Sequence, residues 1–118
     1  MFREHEDKLL AILEKTGTKE MLTVCIEEMS ELTKELCKWE RYHDVQTLMD
    51  IQQEMADVYI CLEHLKNIVA SEHQMVYSAE FNIVKDGIDE RIKRIADYKI
   101  DRVLKRLEEE DGLENSNE

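Results

Sequence analysis

The stretch LTVCIEEMSELTKELCKW, residues 22–39, decides how this chain folds. Its apolar residues Leu22, Cys25, Met29, Leu32, Leu36 and Trp39 fall at alternating steps of three and four, the spacing that lines one side of an α-helix. The predicted helix runs from about Lys19 to Glu40, with Thr18 as its N-cap. Downstream, Leu48, Ile51, Met55, Val58, Leu62, Leu65 and Val69 repeat the alternation after a polar connection, RYHD, in which Asp44 is the candidate N-cap. Upstream, a helix from Phe2 to about Lys15 presents Leu9, Leu10, Ile12 and Leu13 on its apolar side, and the T-G-T at 16–18 ends it. Ser71 and Gln74 have capping-box spacing, so either a separate helical piece starts there and runs towards Val84 or the third helix continues. Gly87 is an expected interruption. A last helix is expected from Ile88 to about Glu110, using Ile92, Ile95, Ala96, Ile100, Val103, Leu104 and Leu107, and the polar residues 111–118 form a tail.

Composition points the same way. The 118 residues include no Pro, three Gly and few aromatics, and 37% are charged, so long helices are the expected product and an all-α, four-helix-type bundle in a single domain over 1–110 is the expected fold. With 28 acidic and 16 basic residues the net charge is −12, which argues against nucleic acid or an anionic membrane as partners, since both need a cationic surface. No run approaches the ~20 apolar residues of a membrane span. Cys25, Cys37 and Cys61 are an odd number with no C-x-x-C pairing, which suggests neither a disulfide framework nor a thiolate zinc site and fits a reducing, cytoplasmic location.

The acids carry the functional signal. Glu28 and Glu31 are three residues apart and each directly precedes a seam residue, Met29 and Leu32; Glu54 and Asp57 stand in the same relation to Met55 and Val58. Residues three apart project only about 60° from one another around a helix, so each pair shares one flank of its seam. If the second and third helices pack along their seams, four carboxylates converge beside a floor of Met29, Leu32, Met55 and Val58. Carboxylates that close repel one another unless cations neutralise them, and hard divalent ions such as Mg²⁺ prefer such oxygen ligands. In so acidic a sequence, the spacing E-x-x-E also arises on solvated faces. Two such pairs with the same offset, in the two most apolar helices, are harder to explain that way, and Glu28, Glu54 and Asp57 have no Lys or Arg four residues on to make a surface ion pair.

At these residues the sequence resembles the all-α nucleoside triphosphate pyrophosphohydrolases, the superfamily of the MazG-type enzymes and the dimeric dUTPases. Their signature, E-E-x-x-E followed by E-x-x-D, reads here as Glu27-Glu28-Met29-Ser30-Glu31 and, after 22 intervening residues, Glu54-Met55-Ala56-Asp57. The similarity extends from about Met21 to Lys66, with EEMSELTKEL and EMADVYICLEHL resembling segments of small MazG-like proteins. YKIDRVLKRLEE resembles their basic last helix, whereas residues 71–87 take no part in the likeness. The resemblance implies hydrolysis of a nucleoside triphosphate between the α and β phosphates, to a monophosphate and pyrophosphate. It assigns Mg²⁺, with Mn²⁺ as a substitute, to Glu28, Glu31, Glu54 and Asp57, where the ion would activate water and invert the local field for an anionic substrate. Glu27 or one of the ligand carboxylates would take the proton.

Basic residues should complete a phosphate site: Lys99, Arg102 and Arg106 share one side of the last helix, and Lys34 and Lys38 are spaced along the second. Lys and Arg on exposed faces of an acid-rich protein also need no function beyond solvation. Trp39 is either core or, as in some relatives, a stacking surface for the base. A di-iron bundle needs two E-x-x-H helices, and only Glu40 and His43 have that spacing. Phosphoribosyl-ATP pyrophosphohydrolase shares the fold, and the acids do not separate its substrate from a free triphosphate. A non-catalytic helical adaptor is the alternative outside enzymes, its seams binding a partner helix. Apolar residues off the main seams, among them Met21, Val24, Met49, Tyr59, Ile60 and Ile68, exceed what four helices can cover, so a homodimer or homotetramer is expected.

Overall fold

The computed structural model describes residues 3–77 and 80–116, and among them all regular structure is helical. A 3-10 turn at Arg3–His5 leads into α1, Glu6–Thr16; α2 spans Thr18–Tyr42, α3 Val45–Tyr77 and α4 Phe81–Ser116. The chain divides into two units, Met1–Ser78 and Ala79–Glu118, and no helix among the described residues is long and apolar enough to cross a membrane.

Local chemistry sets most of the boundaries. Gly17 adopts φ 87° and ψ 150°, a conformation almost confined to glycine, and its N–H donates to the Leu13 carbonyl while its carbonyl accepts from the Met21 N–H. It is therefore Gly17, and not Thr18, that both closes α1 and precedes α2. At the other end of α2, His43 takes a left-handed conformation, φ 48° and ψ 36°, with its N–H donating to the Trp39 carbonyl at 3.0 Å and its ring 4.8 Å from that of Trp39. Asp44 caps α3 as expected: its Oδ1 accepts from the Thr47 N–H at 2.7 Å.

Of the two continuations left open at Ser71, the structure takes the longer third helix, and the expected interruption at Gly87 does not occur. α3 continues through Ser71 and Gln74 to Tyr77. α4 passes through Gly87 and onward to Ser116, because a single glycine costs a helix about 1 kcal/mol and the flanking turns supply more than that. The expected start of the first helix at Phe2 lies outside the described residues.

His43 and Asp44 alone separate α2 from α3, so the two pack as an antiparallel hairpin, with α1 against both. The core of this first unit is Met21 and Cys25 of α2 with Cys61 and Ile68 of α3, joined by Leu13 and Leu65. The hairpin closes along one edge only of the seams read from the sequence: Cys25 and Leu32 of α2 and Ile51, Val58 and Leu65 of α3 turn inward, and the other edge does not. Leu22, Met29 and Leu36 of α2, and Leu48, Met55, Leu62 and Val69 of α3, are exposed; α2 instead turns inward the flank carrying Met21, Cys25, Leu32 and Glu35. The floor expected from Met29 and Met55 is thus absent, although Leu32 and Val58 are half-buried. The second unit is the single helix α4, on which Ile92, Ile95, Ile100, Val103, Leu104 and Leu107 are exposed.

Candidate metal centre and its adjoining groove

Packing the hairpin on the acid-bearing flank draws the carboxylates inward. Glu28 of α2 meets Glu54 and Asp57 of α3, and one oxygen from each lies within 4.8 Å of the others. Glu54 Oε2 is buried without a hydrogen-bond partner among the described residues. Burial raises Glu28 above the ordinary carboxylate range, and Asp57 and Glu54 push it further, Asp57 also by a direct hydrogen bond that requires a shared proton. Burial likewise raises Glu54, followed by the charges of Asp57, Glu31, Glu35 and Asp50. Three converging carboxylates, two of them raised and one with an unsatisfied buried oxygen, are a donor set suited to a hard divalent cation.

The remaining sequence-derived residues separate around this group. Glu31 is exposed and stands beside the three, near enough to act on both Glu28 and Glu54 but outside the 4.8 Å group. Glu27 lines a different surface recess with Lys19, Glu20, Thr23 and Val24. Lys34 is exposed on α2. Lys38 pairs with Glu35 at 3.2 Å, and this hydrogen bond and charge hold the Lys38 ammonium above its ordinary value. Trp39 is half-buried against His43, roughly 16 Å along α2 from Glu28 at 1.5 Å per residue. Lys99 and Arg102 belong to the second unit, where both are exposed and the Arg102 guanidinium lies 5.7 Å from the Tyr98 ring. Arg106 on the same helix approaches Glu110 at 3.9 Å.

Two acids join the set that pairwise motif reading passed over. Glu35 is buried, with Oε1 on Lys38 and Oε2 unpartnered among the described residues, and Asp50 adds to the field at Glu54. The signal was present: the acids run 28, 31, 35 on α2 and 50, 54, 57 on α3, both in steps of three and four. Towards α1 the carboxylate site opens into a groove of about 310 Å³, bounded by Ile12 and Thr16 of α1, Met21 and Val24 of α2, and Ile60, Cys61 and His64 of α3, with Glu28 and Asp57 on its wall. The Cys25 thiol donates to the Cys61 carbonyl at 3.7 Å, and burial, then Cys25, pushes the Cys61 thiol up to about 12. Cys61 therefore stays protonated at neutral pH and serves as apolar wall. Burial also lowers His64, which is neutral at pH 7.

The sequence matches no protein-family model, no curated protein and no solved structure.

Proposed function

We propose that this protein is a Mg²⁺-dependent nucleoside triphosphate pyrophosphohydrolase of the all-α, MazG-like kind, active as a homo-oligomer. The observation that carries this reading is the convergence of Glu28, Glu54 and Asp57 from the two helices of the hairpin. These are the E-x-x-E and E-x-x-D positions, and a structural account of the hairpin does not require acids there. Their mutual repulsion is an uncompensated cost in the metal-free protein, and a divalent cation removes it.

Glu28, Glu54 and Asp57 would hold the ion, with Glu31 beside them able to complete its oxygen shell. Once bound, Mg²⁺ supplies charge for phosphate oxygens and acidifies water. The protein's own side chains do the rest. Lys38, paired to Glu35, is a positive charge on the same helix as Glu28 and Glu31 but roughly 15 Å along it from Glu28, so it would add to the field around the outer phosphates without touching a phosphate held at Glu28. Glu27 faces the neighbouring recess, so the proton-accepting role falls to the carboxylates of the hairpin rather than to Glu27.

Pyrophosphate release from canonical and damaged NTPs and dNTPs and from phosphoribosyl-ATP, each with Mg²⁺, with Mn²⁺ and with chelator, tests the reading. Metal-dependent release from at least one free triphosphate is expected. Release from phosphoribosyl-ATP alone would reassign the substrate, and none across the panel would favour a helical adaptor.

A further inference from the structure

The carboxylates account for a cation and for phosphate, and leave the rest of the substrate without a place. Trp39, the aromatic residue that sequence alone offers for stacking a base, stands roughly 16 Å along α2 from Glu28 and is already occupied by the His43 ring. The groove on the α1 side has no such difficulty, because Glu28 and Asp57 belong to its wall. Its volume of about 310 Å³ falls at the lower end of the range for small-molecule sites. Met21, Val24, Ile60 and Cys61 make it apolar, which suits the faces of a planar ring.

His64 supplies the polar contact. The residue is only 3% exposed, its Nδ1 is buried with no hydrogen-bond partner among the described residues, and it lines the groove. A buried imidazole left unsatisfied loses its hydration without recovering a hydrogen bond, and a hydrophobic side chain would fill this position more cheaply. One neutral imidazole offers one donor and one acceptor, which is the vocabulary needed to read the edge of a heterocycle.

We infer that this groove holds the nucleoside of the substrate, with His64 as a specificity-determining residue that hydrogen-bonds the base. The assignment rests on the pyrophosphohydrolase reading for the identity of the ligand. It sets the polarity of binding: base towards α1, reacting phosphate at Glu28 and Asp57, and pyrophosphate towards Lys38.

The test separates the two claims. Long-range ¹H–¹⁵N spectra of the histidine rings in wild-type protein are recorded with ribo- and deoxyribonucleoside monophosphates, which cannot turn over, in the presence of Mg²⁺, which offsets the carboxylate charge. Displacement of the His64 ring resonances by at least one monophosphate, with His43 unmoved, is expected. In kinetics, Ile60→Trp should narrow the groove and raise KM by about tenfold or more with kcat little changed, while His64→Phe should flatten the preference among bases; Trp39→Leu should do neither. Failure of every monophosphate to move His64 overturns the groove assignment whether or not triphosphates are hydrolysed. Movement of His64 without any hydrolysis sustains the groove and overturns the reaction.

Discussion

At Glu28 the fold places a carboxylate where its charge is opposed from several sides at once. Burial comes first, then Asp57 and Glu54, and together they raise its proton affinity in the folded state. Replacing it by Gln keeps the shape and removes the opposed charge, so Glu28→Gln should raise the melting temperature of the metal-free protein by a few degrees at pH 7 while abolishing Mg²⁺-dependent turnover. Calorimetry with and without Mg²⁺ checks this: wild type should gain stability from the ion, and the variant little. Asp57→Asn should behave alike, and wild-type turnover in either variant would remove the metal assignment. The same shifts fix a pH dependence. Because Glu28 and Glu54 bind protons more tightly folded than unfolded, the folded state takes up protons first as pH falls. Their contribution therefore favours unfolding at neutral pH, is relieved as pH drops through the raised folded values, and is fully relieved below the ordinary value of 4.5. Denaturant midpoints of metal-free protein should rise as pH falls from neutral towards 4.5, and Glu28→Gln should flatten that rise.

Among the elements, two glycines make opposite predictions from the same chemistry. A Cβ at either Gly17 or Gly87 meets nothing within 4 Å, so sterics with neighbours do not enter. Gly17, at φ 87°, holds a conformation that L side chains rarely adopt, and Gly17→Ala should cost about 1–3 kcal/mol by straining the junction of α1 and α2. Gly87 is an ordinary helical position of α4, and Gly87→Ala should stabilise by about 0.4–1 kcal/mol through the unfolded chain. Urea denaturation of the two variants reads both signs. The junction at residues 43–44 was legible because Asp44 must have a donor to cap, and the Thr47 N–H is three residues on. The continuity of α4 was not, since a lone glycine only lowers helix propensity and neighbouring turns decide whether the loss matters.

For the whole molecule, the exposed apolar residues are the unsolved part of the packing. Leu22, Met29 and Leu36 recur every seven residues along α2, and Leu48, Met55, Leu62 and Val69 do so along α3. Each row lies some 80–110° around its helix from the buried side, in the same rotational sense; because the helices are antiparallel, both rows come to the same side of the hairpin. A heptad-spaced stripe on two adjacent helices is the surface on which a second hairpin would complete a four-helix bundle. The protein is therefore expected to self-associate, burying more than ~1,000 Å² per interface, and light scattering at micromolar concentration should find a mass at least double the 14.0 kDa of one copy. A double substitution, Met29→Glu with Met55→Glu, should drive it to monomer, and a purely monomeric wild type would refute the expectation. None of the stripe residues lines the groove.

Sequence by itself determined the helices of the first unit, the cap at Asp44 and the acids that could converge, because a 3.6-residue period, a side-chain acceptor before a helix and the spacing of charges are all local properties. What only the tertiary structure decided was which stripe of α2 and α3 turns inward. The predicted seam of α2 holds two edges, Leu22–Met29–Leu36 and Cys25–Leu32 with Met21 beside it, only some 60° apart, and the period alone ranks neither above the other. The hairpin buries the second edge, with Cys61, Ile68, Leu13 and Leu65 filling the space against it. That choice brings Glu28, Glu54 and Asp57 within 4.8 Å and leaves the His64 imidazole at the groove, two juxtapositions across facing helices that no spacing along one helix can express.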